Sequence, residues 1–242
     1  MNFPSIAMIM AAGLGTRMRP LTNTMPKPLV KVAGKPLIDY ALDFLAKSGV
    51  QNVVINSHYF AEILEAHLHT HMPSPQIIIS RETEVLETGG GIKNALPLLG
   101  EQSFFVLNSD VICIDNADNT PALLRLAQHF DEEKMDVLLL LHQVKNAVGY
   151  NGAGDFFLTE SGALRRRTQN ETAPYVFTGI QIIHPRLFAN SPDGKFSLNV
   201  LYNRNLERVS AIIHNGEWLH VGSVTELEQA EYWLMARNNS PL

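Results

Sequence analysis

Residues 6–17 read Ile-Ala-Met-Ile-Met-Ala-Ala-Gly-Leu-Gly-Thr-Arg, an apolar run followed by a glycine-rich loop. The run Ile6–Met10 is typical of a buried strand. Gly13 and Gly15 let the backbone turn sharply and approach a ligand closely, and successive N–H groups in such a turn form a concave anion site. Arg17 adds a charged, forked donor for phosphate oxygens. Taken alone, the loop is also compatible with a plain strand-to-helix turn and solvent-facing arginines.

Two familiar phosphate-binding motifs do not fit this loop. Met18 stands where a dinucleotide-binding Gly-x-Gly-x-x-Gly motif needs its third glycine, and no Gly-Lys-Ser/Thr follows Gly15 as in a P-loop. Further on, Pro26-Lys27-Pro28 places a lysine between two prolines. Because proline fixes its own φ and disfavours helical backbone in the residue before it, we expect an extended, stiff segment. Lys27 would then be well placed to contact a reacting phosphate.

Segments of strand and helix type alternate along the chain. Apolar runs predict strands at Ile6–Met10, Val53–Ile55, Gln76–Ser80, Phe104–Leu107 and Asp136–His142. Apolar stripes predict helices at Leu37–Ser48, Phe60–Leu68, Ile92–Leu99, Pro121–Phe130 and Val224–Met235. This alternation indicates an α/β fold with a mixed, mostly parallel central sheet and crossover helices. Such sheets bind ligands beyond the carboxyl ends of their strands, where the glycine-rich loop falls.

Length and composition bound the class of protein. The 242 residues suit a single domain, and the formal net charge of −5 argues against general binding to nucleic acid or anionic membranes. Cys113 is the only cysteine, which excludes an intrachain disulfide and favours a reducing compartment. No apolar run reaches transmembrane length, and the N-terminus lacks the features of a secretory signal. We therefore expect a cytoplasmic protein with small-molecule partners, either a monomer or a small homo-oligomer.

Residues 10–36 resemble the signature of the sugar-1-phosphate nucleotidyltransferases. In that family Ala-Ala-Gly-x-Gly-x-Arg is followed by Pro-Lys-Pro and then Pro-Leu, in the order and approximate spacing found here. The resemblance implies a Rossmann-like three-layer fold in one domain, 1–242. A nucleotide-binding half would cover about 1–112 and a sugar-binding half about 113–242. It also implies a reaction in which a sugar 1-phosphate attacks the α-phosphorus of a nucleoside triphosphate and releases pyrophosphate.

The same resemblance implies roles for individual residues. The catalytic residues are expected to be Arg17, Lys27 and Asp110. The nucleotide is expected to contact Ala11, Ala12, Gly13, Leu14, Gly15, Thr16, Arg17, Glu87, Gly89 and Asn108. Three glycines at 89–91 would let a flat group lie against the backbone at a helix start, and a flexible loop is the alternative. In the family this loop reads the base. Glu87–Gly91 is similar to the loop of the bacterial N-acetylmuramate-1-phosphate uridylyltransferases.

Two segments bear on a metal ion. Asp110 follows the strand that ends at Leu107, where a carboxylate suits a hard cation that also binds phosphates; a turn-forming aspartate is the alternative. The resemblance implies that Asp110 binds Mg²⁺. Trp218–Ser223 resembles the family's Trp-x-Asp-Val-Gly-Thr, whose aspartate is a further metal ligand, but His220 replaces it. Imidazole suits Mn²⁺ or Zn²⁺ better than Mg²⁺, so His220 is a candidate metal ligand, a phosphate contact or a structural residue.

The sugar-binding half is less specific in its sequence. Gly152–Phe156 resembles a family segment near the sugar, with a hairpin entry as the alternative. The substrate-binding residues expected from the resemblance are Gly154, Asp155, Thr178 and Gly179. Arg165-Arg166-Arg167 could attract a sugar phosphate or form a solvated hairpin edge. His67, His69 and His71 invite comparison with a metal site, although a polar helix end explains them as well.

The substrate is the least determined part of the prediction. The compact length and the segments 87–91 and 177–180 look most like the muramate uridylyltransferases of cell-wall recycling, so we predict UTP and N-acetylmuramate 1-phosphate. A mannose-1-phosphate guanylyltransferase or a phosphocholine cytidylyltransferase is the alternative. A nucleotide-sugar-binding regulator without turnover is an alternative of a different class, which His220 keeps open.

Overall fold

A computed structural model describes residues 3–70, 75–159 and 163–238. Its strands are β1 Ile6–Met10, β2 Lys31–Val32, β3 Lys35–Pro36, β4 Asn52–Ser57, β5 Gln76–Arg81, β6 Phe104–Asn108, β7 Val111–Ile114, β8 Val137–Gln143, β9 Phe156–Leu158, β10 Leu164–Arg166, β11 Tyr175–Ile183, β12 Val209–Ile213 and β13 Glu217–His220. Its helices are α1 Leu37–Lys47, α2 Ala61–Leu68, α3 Glu87–Leu99, α4 Ala122–His129, α5 Asn199–Arg204 and α6 Val224–Asn238. The predicted strands and helices are all present, with bounds that shift by a few residues.

The central sheet is mixed and mostly parallel around its middle strands. Its main path runs β10-β9-β11-β6-β1-β4-β5, and β8 pairs with both β11 and β12. Strands β6, β1, β4 and β5 are parallel to one another, whereas β11 is antiparallel to β6. The predicted fold class is therefore confirmed.

Alternate residues of β1 face opposite helical layers. Ala7 and Ile9 pack into a buried cluster with α1, α2 and α4, whereas Met8 packs into another with α3 and α5. Burial on both faces explains why this strand is apolar throughout rather than alternating with polar residues. The result is a three-layer arrangement, in which the carboxyl ends of the parallel strands stay open for a ligand.

The segment Pro26–Pro28 does not have the predicted extended conformation throughout. Pro26 is extended, but Lys27–Leu29 forms a 3₁₀ turn. The backbone N–H of Leu29 donates to Pro26 O at 3.0 Å, and that of Val30 donates to Lys27 O at 3.0 Å. Proline is tolerated in a first helical turn because its missing N–H has no partner there. The two hydrogen bonds outweigh the preference that Pro28 imposes on Lys27.

The three glycines at 89–91 lie inside the first turns of α3 and are buried. A Cβ at Gly89 would come within 2.3 Å of the Phe196 ring, and one at Gly90 within 2.2 Å of Gly194 O. These two glycines therefore let the segment 194–196 cross the start of the helix at close range. The helix start is as predicted, but a flat ligand has no access to the face of Gly89 and Gly90.

Two further expectations concern membranes and histidines. Within the described ranges, no helix combines the length and apolarity needed to cross a bilayer.

His67 Nε2 lies 2.7 Å from Asp39 Oδ1, so this histidine takes part in a polar contact between α2 and α1. His71 lies outside the described residues.

An ion cluster holds β12 against β8. Asp136 Oδ1 accepts hydrogen bonds from Arg186 Nε at 2.6 Å and pairs with Arg208 Nη2 at 3.0 Å. The backbone N–H of Asp136 also donates to Arg208 O at 2.8 Å. Burial by itself raises the pKa of Asp136, but the two guanidinium groups outweigh it and hold this pKa below its ordinary value. The cluster thus contributes stability only while the carboxyl is ionised.

We predict that Asp136→Asn lowers the free energy of unfolding by about 2 kcal/mol at pH 7, because it removes charge-assisted hydrogen bonds to two arginines. Since the folded-state pKa is lowered, the stabilisation is present above the ordinary aspartate pKa and is lost as the pH falls through the folded-state value. Urea denaturation at a series of pH values measures both effects. The gap between wild type and variant should narrow below about pH 4.

The matched control is Asp131→Asn, since Asp131 forms a solvent-exposed ion pair with Lys134. Exposed pairs contribute little, so this variant should unfold like the wild type. A gap for Asp136→Asn that widened towards acid pH would contradict the assignment.

Candidate active site

A cavity of about 340 Å³ lies at the carboxyl ends of β1, β4, β5 and β6. Polar and glycine residues that follow these strands form its walls. It is lined by Met10, Ala11, Ala12, Gly13, Gly15, Thr16, Arg17, Lys27, Pro28, Asn56, Glu82, Val85, Glu87, Thr88, Asn108, Ser109, Asp110 and Gly222. Most of the residues predicted to contact a nucleotide therefore meet in one place.

The loop after β1 is held in a defined shape. Gly15 adopts a left-handed conformation with φ 61°, and its carbonyl accepts hydrogen bonds from Met18 N at 2.9 Å and Thr22 Oγ1 at 2.8 Å. At the other end of the loop, Ala11 N donates to Asn56 Oδ1 at 2.6 Å. A Cβ on Gly15 would lie 2.9 Å from Lys27 Cβ. Glycine is required here by both the backbone angle and the neighbouring lysine.

Lys27 and Asp110 form an ion pair beside this loop. Lys27 Nζ lies 2.6 Å from Asp110 Oδ2, across 83 residues of sequence. Burial raises the pKa of the Asp110 carboxyl, but Lys27 outweighs it, with help from His220 and Arg17, so that the pKa is lowered. Asp110 is therefore an ionised carboxylate, and its partner lysine faces the same cavity.

Two residues that sequence analysis missed hold the far wall of this cavity. Asn56 Nδ2 donates to Glu82 Oε1 at 2.7 Å, and Leu86 N donates to Glu82 Oε2 at 3.2 Å. Glu82 is buried, so its carboxylate depends on these donors. The signal available in the sequence was Asn56 itself, a polar residue directly after the apolar run Val53–Ile55, near the end of a strand. Through Asn56, the wall is connected directly to the loop at Ala11.

His220 occupies a corner between β13 and α6, close to this cavity. Its Nδ1 lies 3.4 Å from Glu226 Oε2, which also accepts a hydrogen bond from Gly222 N at 2.7 Å. Its ring stacks against Trp218 with centroids 5.9 Å apart. Among residues 3–70, 75–159 and 163–238, no three histidine, cysteine, aspartate or glutamate side chains converge as a metal-binding group. A cation at Asp110 would need water and substrate oxygens to complete its coordination.

A second cavity of about 520 Å³ adjoins the first and shares Met10, Thr88 and Asn108 with it. It lies over β6, β9, β10 and β11, with α5 as one wall. The remaining lining residues are Ile92, Val106, Asp155, Phe156, Arg166, Arg167, Thr168, Gln169, Phe177, Gln181, Leu198, Asn199 and Tyr202. A lining of aromatic and other apolar side chains with a few polar groups is typical of a small-molecule site.

Of the four residues predicted to bind the sugar, only Asp155 lines this cavity. Thr178 is fully buried, and its Oγ1 donates to Leu140 O at 2.8 Å. Gly179 has φ 82° at the bulge of β11, and a Cβ there would lie 2.7 Å from Asn108 Nδ2. Gly154 packs against Ala173 O, which a Cβ would approach within 2.2 Å. These three residues shape the backbone around the cavity instead of facing it.

The residues predicted to bind the nucleotide also fall into two groups, those that line a cavity and those that do not. Leu14 is exposed and does not line the first cavity. Gly89 also lies away from it, because its N–H donates to Phe196 O at 2.9 Å and its face is covered. The cavity does contain the other members of both the nucleotide set and the catalytic set. The sequence pattern predicts that these residues lie near one another, but it does not show which of them face the cavity.

Comparison with known proteins bears on this arrangement. Residues 6–152 match the family described as Nucleotidyl transferase. The chain is 48% identical over 225 residues to an N-acetylmuramate alpha-1-phosphate uridylyltransferase of Caulobacter vibrioides, with 90% of this chain and 92% of the relative covered. It is 37% identical to a protein of the same name from Neisseria meningitidis serogroup B, with 93% and 96% covered.

Among solved structures, HddC from Yersinia pseudotuberculosis complexed with GMP-PN superposes with a TM-score of 0.77 at 22% identity, covering 95% of this chain and 99% of that chain. This likeness concerns the fold alone.

The chain belongs to the nucleotidyl transferase family. It is a sugar-1-phosphate nucleotidyltransferase, an enzyme of nucleotide-sugar biosynthesis. Within that class, its similarity to the two N-acetylmuramate alpha-1-phosphate uridylyltransferases extends over nearly the full length of each chain.

The loop geometry generates a prediction for two neighbouring glycines. Gly15→Ala should lower the free energy of unfolding of the ligand-free protein by about 1–3 kcal/mol, because alanine is strained at positive φ and its Cβ would press on Lys27. Gly13→Ala is the matched control, since a Cβ there meets no atom within 4 Å. Thermal unfolding without nucleotide measures both variants. Equal stability of the two would show that the loop is not held as described.

Proposed function

We propose that the protein transfers the uridylyl group of UTP to N-acetylmuramate 1-phosphate and releases pyrophosphate. The observation that carries this proposal is the pair Lys27–Asp110 at 2.6 Å beside the glycine-rich loop, with a second cavity adjoining it. The relatives that cover nearly the whole chain support the choice of base and sugar. We place the reaction in the cytoplasm, where a single cysteine stays reduced, in a monomer or small homo-oligomer.

The chemistry follows from the charges of the substrates. An oxygen of the sugar phosphate forms a bond to the α-phosphorus, and the bond between that phosphorus and the bridging oxygen of pyrophosphate breaks. The nucleophile is already an anion, so no general base is needed. The task of the protein is to align two polyanions and offset their repulsion. In this proposal, the N–H groups of the loop at 11–16 and the guanidinium of Arg17 hold the triphosphate.

Lys27 is proposed to stabilise the charge that develops at the α-phosphate. It lies at the boundary between the loop and Asp110, and its side chain is only 12% exposed. A cation with so little access to water interacts strongly with a phosphate in the same cavity. Its pairing with Asp110 holds the ammonium in position before substrate arrives.

We further propose Mg²⁺ as the metal ion, with Asp110 as its protein ligand. The fit rests on an ionised carboxylate that lines the cavity and is 21% exposed. A hard oxygen ligand suits Mg²⁺, which keeps several waters and takes substrate phosphates as further ligands. Mn²⁺ is the alternative if His220 contributes a nitrogen. When bound, the ion would neutralise phosphate charge and orient the two substrates.

The two cavities divide the substrates in this proposal. The first would take the nucleotide, with Asn56, Glu82, Glu87 and Asn108 around the base and ribose, and the second would take the sugar beside Asp155. The second cavity also draws Met10, Ile92 and Val106 from the first half of the chain. In this proposal, residues from both halves of the chain would contribute to sugar binding.

The proposal is tested by pyrophosphate release from the purified protein, with four nucleoside triphosphates combined with N-acetylmuramate, mannose, glucose and N-acetylglucosamine 1-phosphates and with phosphocholine. We expect the highest kcat/KM for UTP with N-acetylmuramate 1-phosphate. A preference for GTP with mannose 1-phosphate would overturn the substrates but keep the class of reaction. Tight binding of a nucleotide sugar without any pyrophosphate release would indicate the regulator.

The role of Lys27 yields a separate prediction. Lys27→Met should lower kcat by roughly 10²–10⁴-fold, because it removes a fixed cation from the transition state. Lys35→Met is the matched control, since Lys35 pairs with Asp43 at the surface and does not line the cavity; its kcat should stay close to that of the wild type. Thermal unfolding checks that both variants fold, and near-normal turnover of Lys27→Met would refute the role.

A further inference from the structure

The second cavity carries more positive charge than the transfer reaction requires. Its lining includes two guanidinium groups, Arg166 and Arg167, against one carboxylate, Asp155. The reacting phosphate of the sugar has to reach Lys27 and Asp110, which line the first cavity. At least one arginine of the second cavity is therefore left without an anion that the reaction itself supplies.

Arg166 is held inside the cavity by neutral partners. Its Nη1 donates to Asn203 Oδ1 at 2.9 Å, and its Nη2 donates to Asn199 Oδ1. The guanidinium carbon lies 5.2 Å from the ring centre of Phe156. These contacts fix the plane of the guanidinium between α5 and the hairpin β9–β10 but leave its charge unbalanced.

No aspartate or glutamate of the described ranges lies within 4.0 Å of the Arg166 guanidinium. Burial lowers the pKa of Arg166, and the electrostatic interactions with Asp155 and Tyr202 oppose this only in part. A partly buried cation without a paired carboxylate is costly to maintain in the absence of a ligand. Its placement is explained if an anion enters the cavity with the substrate.

The two neighbouring arginines differ from Arg166 in their partners. Arg165 is exposed and pairs with Glu171 at 2.9 Å, so its charge is already balanced. Arg167 Nε donates to Gly154 O at 2.6 Å, and Arg167 Nη1 donates to Thr168 O at 3.2 Å. Arg165 thus forms the solvated hairpin edge considered from the sequence, whereas Arg166 turns towards the cavity.

We propose that Arg166 binds a carboxylate carried by the sugar ring, so that the second cavity selects acidic sugar 1-phosphates over neutral ones. The inference rests on the proposed function for the location of the sugar. A planar guanidinium presents two parallel N–H donors that match a carboxylate in geometry as well as charge. The lactyl ether of N-acetylmuramate supplies such a carboxylate, away from the anomeric phosphate that reacts. Phe156 and Tyr202 line the same cavity and would form an apolar wall beside the ring and its substituents.

The test compares paired substrates that differ in the carboxylate. Steady-state kinetics with UTP would use N-acetylmuramate 1-phosphate against N-acetylglucosamine 1-phosphate, which lacks the lactyl ether, and glucuronate 1-phosphate against glucose 1-phosphate. Arg166→Gln should lower kcat/KM for the acidic member of a pair by about 10- to 100-fold, mainly through KM, because a charge-assisted pair is lost. The neutral member should keep its kcat/KM, which also shows that the variant is folded.

Two further variants complete the design. Arg165→Gln removes a positive charge from the same hairpin and should leave both members of each pair unchanged. Arg166→Lys keeps the charge without the planar fork, so it should recover part of the preference for the acidic substrate. An equal loss on acidic and neutral substrates in Arg166→Gln would assign a structural role and overturn the proposal, as would no loss on either.

The same data separate this inference from the proposed function. If the wild type ignores N-acetylmuramate 1-phosphate but prefers glucuronate over glucose 1-phosphate, and Arg166→Gln removes that preference, the proposed substrate is wrong and the carboxylate site stands. If the wild type uses N-acetylmuramate 1-phosphate and Arg166→Gln is unaffected, the function stands and the carboxylate site is wrong. A wild type that prefers the neutral member of every pair would overturn both.

Discussion

The contact between Lys27 Nζ and Asp110 Oδ2 is the interaction on which the rest of the site depends. It joins a turn that follows the glycine-rich loop to the residues just beyond the carboxyl end of β6, and both partners line the first cavity. Both groups are largely shielded from water, and their pairing offsets the cost of burying two opposite charges. A cation and an anion held ready in one cavity are what a reaction between two polyanions requires of its catalyst.

The backbone around this pair is organised to keep it in place. Gly15 leaves room for Lys27 that no other residue would leave. Asn56 ties the loop to the buried Glu82, so the first cavity is braced from two adjoining parallel strands. On the other side, the left-handed Gly179 lets β11 pass close to Asn108, which both cavities share. The two cavities therefore meet over β1 and β6, which is where the proposed function places the two substrates.

The hairpin β9–β10 shows how much of a site can depend on side-chain direction. Three consecutive arginines have the same chemistry in the sequence, yet they have different partners in the fold. Arg165 faces solvent and Glu171, whereas Arg166 and Arg167 line the second cavity. Successive side chains of a strand point to opposite faces, which separates Arg165 from Arg166. Helix α5 supplies Asn199 and Asn203, the two asparagines that orient Arg166. The charge of the second cavity is thus a product of packing between segments far apart in the chain.

The sequence by itself determined the fold class and indicated that the glycine-rich loop, Lys27 and Asp110 would lie together at one end of the sheet. These features depend on local patterns: an apolar strand, glycines at a sharp turn and polar residues at strand ends. It also allowed five of the strands and five of the helices to be located to within a few residues. Only the tertiary structure decided that Lys27 lies in a 3₁₀ turn, that Gly89 is covered by Phe196, that Thr178 is buried, and that Asn56, Glu82 and Arg166 face the cavities. The physical reason is that the direction of a side chain and the identity of its partners are set by long-range packing, which local sequence spacing does not encode.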